Sequence, residues 1–325
     1  MKLQNILFVF LLSLICFAAV FCSSEKNRSE IVLSGPAVDA SFPMVCMAAR
    51  NVNLDGKKIR FIPWSSPDQL RALVSGKQID LAAVSTNASA NLYNRGISVR
   101  QLLVSVPGNG EIIASFNISR LSDLKGKTIV MPFKGDTPDI VFQLVMKKCG
   151  FLHGRDYRMI YSRNPVDVLQ YFFSGRADAA FVSEMASSIA IEKMKKEGKK
   201  GRFVLPLHKE WKNHFKRETL PVAGICSVGK INSSPHMLSL FIRKYRESVS
   251  WCKENPGKAA EIAVKYFPSL KKESVRKRII NSDFKFKKSG DVKSDMLFLY
   301  KIFMKKNPAL IGHKLPGDNF FSNGR

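Results

Sequence analysis

Three features of this chain predict an α/β protein of two similar lobes. Strand-like and helix-like patterns alternate over about the first 230 residues, one supersecondary unit is written twice, and five helices open on a capping residue followed by proline. The first copy of the unit runs Ser66-Pro67-Asp68-Gln69-Leu70, an apolar helix to Ser75-Gly76, then Asp80-Leu81-Ala82-Ala83-Val84-Ser85. The second runs Asn164-Pro165-Val166-Asp167-Val168-Leu169, a helix to Ser174-Gly175, then Asp178-Ala179-Ala180-Phe181-Val182-Ser183. Each reads as a cap, proline in the first helical turn, a glycine stop, and a short buried strand ending in a hydroxyl.

Taken in order, residues 30–34 read as the first strand, broken at Gly35-Pro36. A helix over 41–50 and a strand over 58–62 precede the first unit. A helix over 88–94 stops at Gly96, and a strand over 98–104 follows. The second half repeats this order, with a strand over 128–131, the loop Phe133-Lys134-Gly135-Asp136, a helix over 137–149 stopped by Gly150, and a strand over 158–161 leading into the second unit. Expected caps are Ser66, Thr137, Asn164, Ser234 and Asn255, with Gln69 completing a capping box at the first. The apolar segments 111–116 and 220–228 are expected to carry the chain between lobes as a two-segment hinge. Residues 234–306 have helical periodicity, with Leu238, Phe241, Ile242 and Tyr245 on one face. The tail from Asn307, with Pro308, Gly312, Pro316 and Gly317, reads as a coil, either packed or mobile.

At the N-terminus, residues 6–21 form an uncharged apolar run after Lys2 and Asn5. Its length is short of the roughly 20 residues a membrane span needs, so it reads as a cleaved export signal. Ala18 and Ala19 ahead of Cys22, and Ser23-Ser24 after it, resemble the lipobox of bacterial lipoproteins. Cys22 is therefore the expected lipidation site. Phe21 stands where that motif has a small residue, which leaves conventional cleavage near Ser24 as the alternative. The expected organisation is a signal over 1–22, a polar tether over 23–29, lobe I over 30–112 plus 222–325, and lobe II over 113–221.

The charge is +26, from 52 Lys and Arg against 26 Asp and Glu. In a cytosolic protein that balance would indicate nucleic acid; export removes this partner. Basic clusters over 193–217 and 271–293 are interspersed with Glu192, Glu197, Glu210 and Glu273, and read as solvated surface or as attraction to anionic lipid. Cys46, Cys149, Cys226 and Cys252 have neither metal-knuckle nor redox-pair spacing. They read as buried thiols, and no cofactor is expected.

In open α/β sheets, ligands sit outside the carboxyl ends of the strands. In the first lobe this rule selects Ser34, Gly35 and Pro36, then Trp64 and Ser65, then Ser85, Thr86 and Asn87. In the second it selects Lys134, Gly135, Asp136 and Thr137, then Tyr161, then Ser183 and Glu184. Such a set suits a small polar ligand, since glycines allow close approach, hydroxyls hydrogen-bond in many directions, and aromatic walls exclude water. The loop 134–138 runs into a helix start, where free amides favour an anion. Ser34, Ser85 and Ser183 have a structural alternative, capping their own turns. Asp80 and Asp178, at the other end of their strands, read as structural. Catalysis lacks its parts: all five histidines fall outside these strand ends, and no HExxH, CxxC or GxSxG run occurs.

The run Leu124-Lys125-Gly126-Lys127-Thr128-Ile129, the loop Lys134-Gly135-Asp136-Thr137-Pro138-Asp139, the two Ser-Gly-(Lys/Arg) turns with their following Asp strands, and Asn255-Pro256 resemble the periplasmic solute-binding proteins of ABC importers. The likeness is to the nitrate/sulfonate/taurine group and to relatives that bind thiamine precursors, over about residues 30–270. It implies the type II periplasmic binding protein fold, two α/β lobes with mixed, mostly parallel sheets closing on a sulfonate-, nitrate-, taurine- or pyrimidine-like solute. It also implies a non-catalytic monomer that delivers the solute to an ABC permease. By position, the resemblance places ligand contacts in 34–36, 85–87, 134–137 and 183–184. Met185 departs from the group, which commonly has proline after that glutamate. An enzyme on the same scaffold, of thiamine-precursor synthase or dehydratase type, and a sensor ectodomain are the alternatives.

Overall fold

Asp80 and Asp178 start equivalent strands in the two halves, and each ties its strand to a neighbour in the same way. The Asp80 carboxylate accepts the amide of Val32 at 2.8 Å, and the Asp178 carboxylate accepts the amide of Thr128 at 2.8 Å. Backbone bonds run the other way, from Asp80 N to Val32 O and from Asp178 N to Thr128 O. The repeat seen in the sequence is thus a repeat of hydrogen bonding, with both aspartates in the structural role their position suggests. In this computed structural model, residues 29–106, 110–162, 165–198 and 203–322 are described. The expected signal, Cys22, the tether up to residue 28, and the Asn164 cap lie outside them.

From Ile31 onward the chain forms one compact unit built on two sheets. The first contains β1 (Glu30–Gly35), β2 (Lys58–Pro63), β3 (Leu81–Ser85), β4 (Val99–Val106), β10 (Ala223–Val228) and β11 (Lys285–Lys288), in the order β11-β4-β10-β3-β1-β2. The second contains β5 (Glu111–Ala114), β6 (Thr128–Pro132), β7 (Arg158–Ser162), β8 (Ala179–Val182) and β9 (Val204–Pro206), in the order β7-β6-β8-β5-β9. The repeated βαβ units pair in parallel, β1 with β3 and β6 with both β7 and β8. Helices α1 (Ser41–Ala49), α2 (Pro67–Ser75), α3 (Thr86–Asn94), α4 (Thr137–Lys148), α5 (Pro165–Phe173), α6 (Glu184–Lys196) and α7 (Leu207–Phe215) connect or flank these strands.

The two segments expected to carry the chain between sheets are themselves strands. β5 inserts antiparallel beside β8, and β10 antiparallel beside β3.

Two expected caps hold: Ser66 Oγ accepts the Gln69 amide and Ser234 Oγ the Met237 amide, each at 3.3 Å. The cap of α4 is Asp136 rather than Thr137, because the shorter carboxylate path reaches the Thr137 amide at 2.7 Å. Asn255 makes no side-chain cap for the helix that follows; its amide donates to Trp251 O at 3.1 Å and closes the preceding one.

The C-terminal third is mostly helical, with α8 (Pro235–Glu254), α9 (Pro256–Tyr266), α10 (Lys272–Asn281) and α11 (Lys293–Lys306). β11 interrupts the expected helical run. Over 285–288 the side chains alternate, half-buried Phe286 packs edge-on against Tyr245 at 5.3 Å, and the lysines on either side of it are exposed. The tail packs as short 3-10 turns. Asn91 and Asn94 of α3 donate to its carbonyls at Ala309 and Lys314, at 2.6 and 2.7 Å, and buried Phe320 meets Tyr93 at 5.3 Å.

One apolar cluster runs from Val84 and Val104 of the first sheet, through Met296 and Phe303 of α11, to Ile112 and Ile129 of the second. Helix α11 therefore straps the two sheets together. Cys46, Cys226 and Cys252 are buried thiols; Cys149 is half-buried, its sulfur 3.1 Å from His214 Nε2.

Candidate functional site

The parallel βαβ units point the carboxyl ends of β1, β2 and β3 toward one end of the first sheet, and those of β6, β7 and β8 toward one end of the second. Two contacts show that these ends face each other. On one side, Arg278 of α10 holds the Asp39 carboxylate through Nε at 2.9 and 3.0 Å and reaches Glu184 at 3.8 Å. Asp39 follows β1 and Glu184 follows β8, so a single guanidinium spans both sheets. On the other side, Tyr300 donates to Thr86 O and Asn307 to Gly135 O, each at 2.9 Å. Tyr300 lies in α11 and Asn307 directly after it, so the end of one helix touches a loop from each sheet.

Around this cleft, many of the residues expected from sequence spend their polar groups on the fold itself. Ser34 Oγ donates to Ile62 O at 2.8 Å, and Ser65 donates through N and Oγ to Gln69. Thr86 Oγ1 donates to Pro221 O, and Ser183 Oγ accepts the Ala186 amide at 3.3 Å. Pro36 O accepts the Val38 amide, and Ser85 stands at the cap position of α3 without a side-chain bond. Ser183 caps its own turn, as the structural alternative has it, whereas Ser34 bonds the carbonyl of Ile62 on the neighbouring strand.

Other atoms are buried without a partner, and these are the ones a ligand can use. Trp64 Nε1 after β2, Asn87 Oδ1 in α3, Thr137 Oγ1 at the start of α4 and Ser41 Oγ in α1 are such atoms. Leaving a polar atom buried and unpaired costs about 1 to 3 kcal/mol; these four lie close to the strand ends, while others such as Asn94 Oδ1, Ser122 Oγ and Trp211 Nε1 lie elsewhere. Gly35 explains how Ser41 arrives there: a Cβ at Gly35 would lie 2.3 Å from Ser41 Oγ, so only glycine admits the hydroxyl. Gly35 O also accepts the Trp64 amide at 3.2 Å, which joins Ser41, Gly35 and Trp64 into one wall.

The loop before α4 is arranged differently from the anion cradle its sequence suggested. Asp136 takes the Thr137 amide, and buried Asp139 takes the Gly135 amide at 2.8 Å, so carboxylates already occupy the donors an anion would use. Asp139 also accepts from Gln143 at 2.6 Å and from the Tyr161 hydroxyl at 3.1 Å. Burial pushes the Asp136 carboxyl up, and the charge of Asp139 adds to it, against the Thr137 amide. Lys134 lies 5.8 Å from the centre of the Tyr161 ring. Phe133 holds a left-handed backbone at φ 57° and is 42% exposed, an uncommon conformation for an aromatic residue.

The opposite side of the cleft is acidic too. Burial lifts the Glu184 carboxyl to about 7 despite the pull of Arg278, with Asp39 and Glu111 adding negative charge. Glu111 is raised mainly by burial, opposed by a Ser187 hydrogen bond and by Arg278. Its position at the start of β5, opposite Val182, brings it to the same end. The carboxylates whose charge reaches Glu184 are thus Asp39 and Glu111.

Sequence reasoning missed Ser41, Asp39, Glu111, Arg278, Tyr300 and Asn307. Arg278 sits in a lysine-rich run that reads as solvated, and it contacts Asp39 across 239 positions. His208 lies outside the strand ends selected from sequence, yet close to them. It follows β9, a three-residue strand alongside β5, at the cleft end of the second sheet. Burial, helped by Lys209 and opposed by Asp283, lowers its imidazole to about 4, so it stays neutral at physiological pH.

Two mixed sheets joined by two crossings, with strand ends opposed across a polar cleft, define the bilobal periplasmic binding protein scaffold. Solved structures share it. An ABC transporter protein from Parabacteroides distasonis superposes with a TM-score of 0.73 at 18% identity, covering 92% of this chain and 100% of that one. The periplasmic aliphatic sulphonate-binding protein SsuA of Escherichia coli gives 0.70 at 12%, over 91% and 93%. The periplasmic nitrate-binding protein NrtA of Synechocystis gives 0.57 at 15%, over 79% and 72%. No curated protein matches the sequence. The profile of the family described as NMT1/THI5 like matches residues 53–259. The chain belongs to this NMT1/THI5-like family.

Proposed function

We propose that the protein is the extracytoplasmic solute-binding component of an ABC importer, a non-catalytic monomer that captures a small polar solute between its lobes and presents it to a permease. The observation that carries this reading is the set of buried, unpartnered polar atoms at the strand ends of both sheets: Ser41 Oγ, Trp64 Nε1 and Asn87 Oδ1 from the first, and Thr137 Oγ1 from the second. A ligand touching both groups gains affinity only when the lobes approach, which couples occupancy to closure. The acidic surroundings formed by Asp39, Glu111, Asp136, Asp139 and Glu184 favour a solute with N–H donors, such as a taurine-like ammonium or the amino group of a pyrimidine. The proposed lobes are 30–112 with 222–325 and 113–221, except that β5, which begins at Glu111, belongs to the second sheet.

Export by the signal over residues 1–22, with lipid on Cys22 and the tether over 23–29 holding the protein at the outer face of the cytoplasmic membrane, fits this role. Among the described residues no helix is long and apolar enough to cross a membrane. The basic segments add attraction to anionic lipid.

Native mass spectrometry of gently purified protein, followed by a thermal-shift screen of sulfonates, nitrate, taurine and aminopyrimidines, tests the proposal. One small molecule per chain and a raised melting temperature are expected. Failure of every compound, with no co-purified mass, rejects it.

A further inference from the structure

At the other end of the first sheet lies a second concave site that the cleft does not use. β10 runs antiparallel to both β3 and β4, so β3 and β4 run together. Arg100, the second residue of β4, therefore sits at the end remote from Ser85. Between β4, α8 and the C-terminal tail is a groove of about 800 Å³, within the range of about 300 to 1,000 Å³ typical of small-molecule sites.

Its floor is apolar, made by buried Leu238, Ile242 and Phe321. Its walls carry Arg100, Arg243, Arg246 and Lys288, none of which forms an ion pair among the described residues. The two carboxylates of the lining are already engaged, Glu247 with Lys244 and Asp318 with Lys293, each at 2.8 Å. Arg100 Nε is buried without a hydrogen-bond partner. Four cations beside an apolar floor, with the nearby acids neutralised from outside, leave an uncompensated positive pocket.

Guanidinium groups bind phosphate oxygens in pairs of parallel hydrogen bonds, and three of them carry more charge than the two lining carboxylates, which already pair with lysines. A phosphate group bearing an apolar chain satisfies walls and floor at once. We infer that this groove is a second binding site of the protein, for a phosphate ester carrying an alkyl or acyl body. The phosphate lies between Arg100, Arg243 and Arg246, and the chain lies over Leu238, Ile242 and Phe321. The site is independent of the cleft, since the two lie at opposite ends of the same sheet.

The test uses the full chain, titrated with decyl phosphate and with inorganic phosphate at low salt. Decyl phosphate binds, inorganic phosphate binds at least tenfold more weakly, and added salt weakens both. The double variant Arg243→Glu with Arg246→Glu, both exposed on α8, loses at least thirtyfold in affinity for decyl phosphate while keeping the wild-type melting temperature. Asn87→Ala with Thr137→Val, in the cleft, leaves that affinity unchanged.

Retention on phosphatidylcholine vesicles with and without phosphatidylglycerol distinguishes the sources of the ligand. A phosphatidylglycerol-dependent gain that the α8 variant loses assigns the phosphate to membrane lipid, whereas binding of decyl phosphate without such a gain assigns it to a soluble ester. No binding of decyl phosphate at low salt overturns the inference. So does an equal loss of affinity in the distant control Lys195→Glu with Lys196→Glu, because the effect would then be one of net charge.

Discussion

Glu184 is the cleft residue whose replacement has the most determinate outcome. Its carboxyl lies on the second sheet, beside Arg278, Asp39 and Glu111, and its side chain is 14% exposed. Burial raises it from an ordinary 4.5 to about 7. Below about pH 4.5 the group is protonated whether the chain is folded or unfolded, and the raised value costs nothing. As pH climbs from 4.5 to 7 the unfolded chain releases the proton first, so folded stability falls and the loss is complete above pH 7. Its size is about 3 kcal/mol. Glu184→Gln keeps shape and volume but removes the charge, and Asp39 still holds Arg278 through two bonds. At pH 8 the variant should exceed wild type by up to about 3 kcal/mol, which at about 2 °C per kcal/mol raises the melting temperature by up to about 6 °C. At pH 4.5 the two should melt together. Differential scanning calorimetry across this range reads both numbers. A variant no more stable than wild type at pH 8, or one shifted equally at both pH values, refutes the reasoning.

Three further outcomes are expected. Arg278→Met leaves Asp39, Glu111 and Glu184 without their shared counterion and should cost about 3 to 5 kcal/mol in urea unfolding at pH 8, with a smaller loss at pH 4.5. Thr137→Val removes a buried hydroxyl without a partner, so the free protein should be unchanged or about 1 kcal/mol more stable, while affinity for the co-purified solute, measured by calorimetric titration, falls about tenfold. Asp80→Ala and Asp178→Ala each remove one charged acceptor from an equivalent amide, and urea unfolding should show matched losses of about 2 kcal/mol.

The βαβ units were legible because their determinants are local: the caps at Ser66 and Ser234, the glycine turns, and the aspartates that start β3 and β8 all act within a few residues or on the next strand. Exceptions arose where two local solutions compete. Asp136 and Thr137 are both good caps, and the carboxylate wins because it reaches the first free amide. The four residues of β11 are too short a run for period two to stand out against helical surroundings. The strand-end rule depends on chain direction alone, so topology suffices to say which strand ends face each other. What it left open is which polar atoms at those ends remain available. Ser34, Ser65, Thr86 and Ser183 carry hydroxyls of the same type as Ser41 and Thr137, and only side-chain direction separates those spent on the backbone from those left unpaired.

The closing contacts have a different origin. The family profile ends at residue 259, yet Arg278, Tyr300 and Asn307, which bridge the strand ends of the two sheets, all lie beyond it. The first of them joins Asp39 to Glu184, and the other two join Thr86 to the loop at Gly135. In the proposed role the shared scaffold would set where a solute sits, whereas contacts from α10 and from the end of α11 hold the strand ends of the two sheets together. Substitutions in those two helices should therefore change the free energy of closure, and with it solute affinity, without altering a single atom that touches the solute.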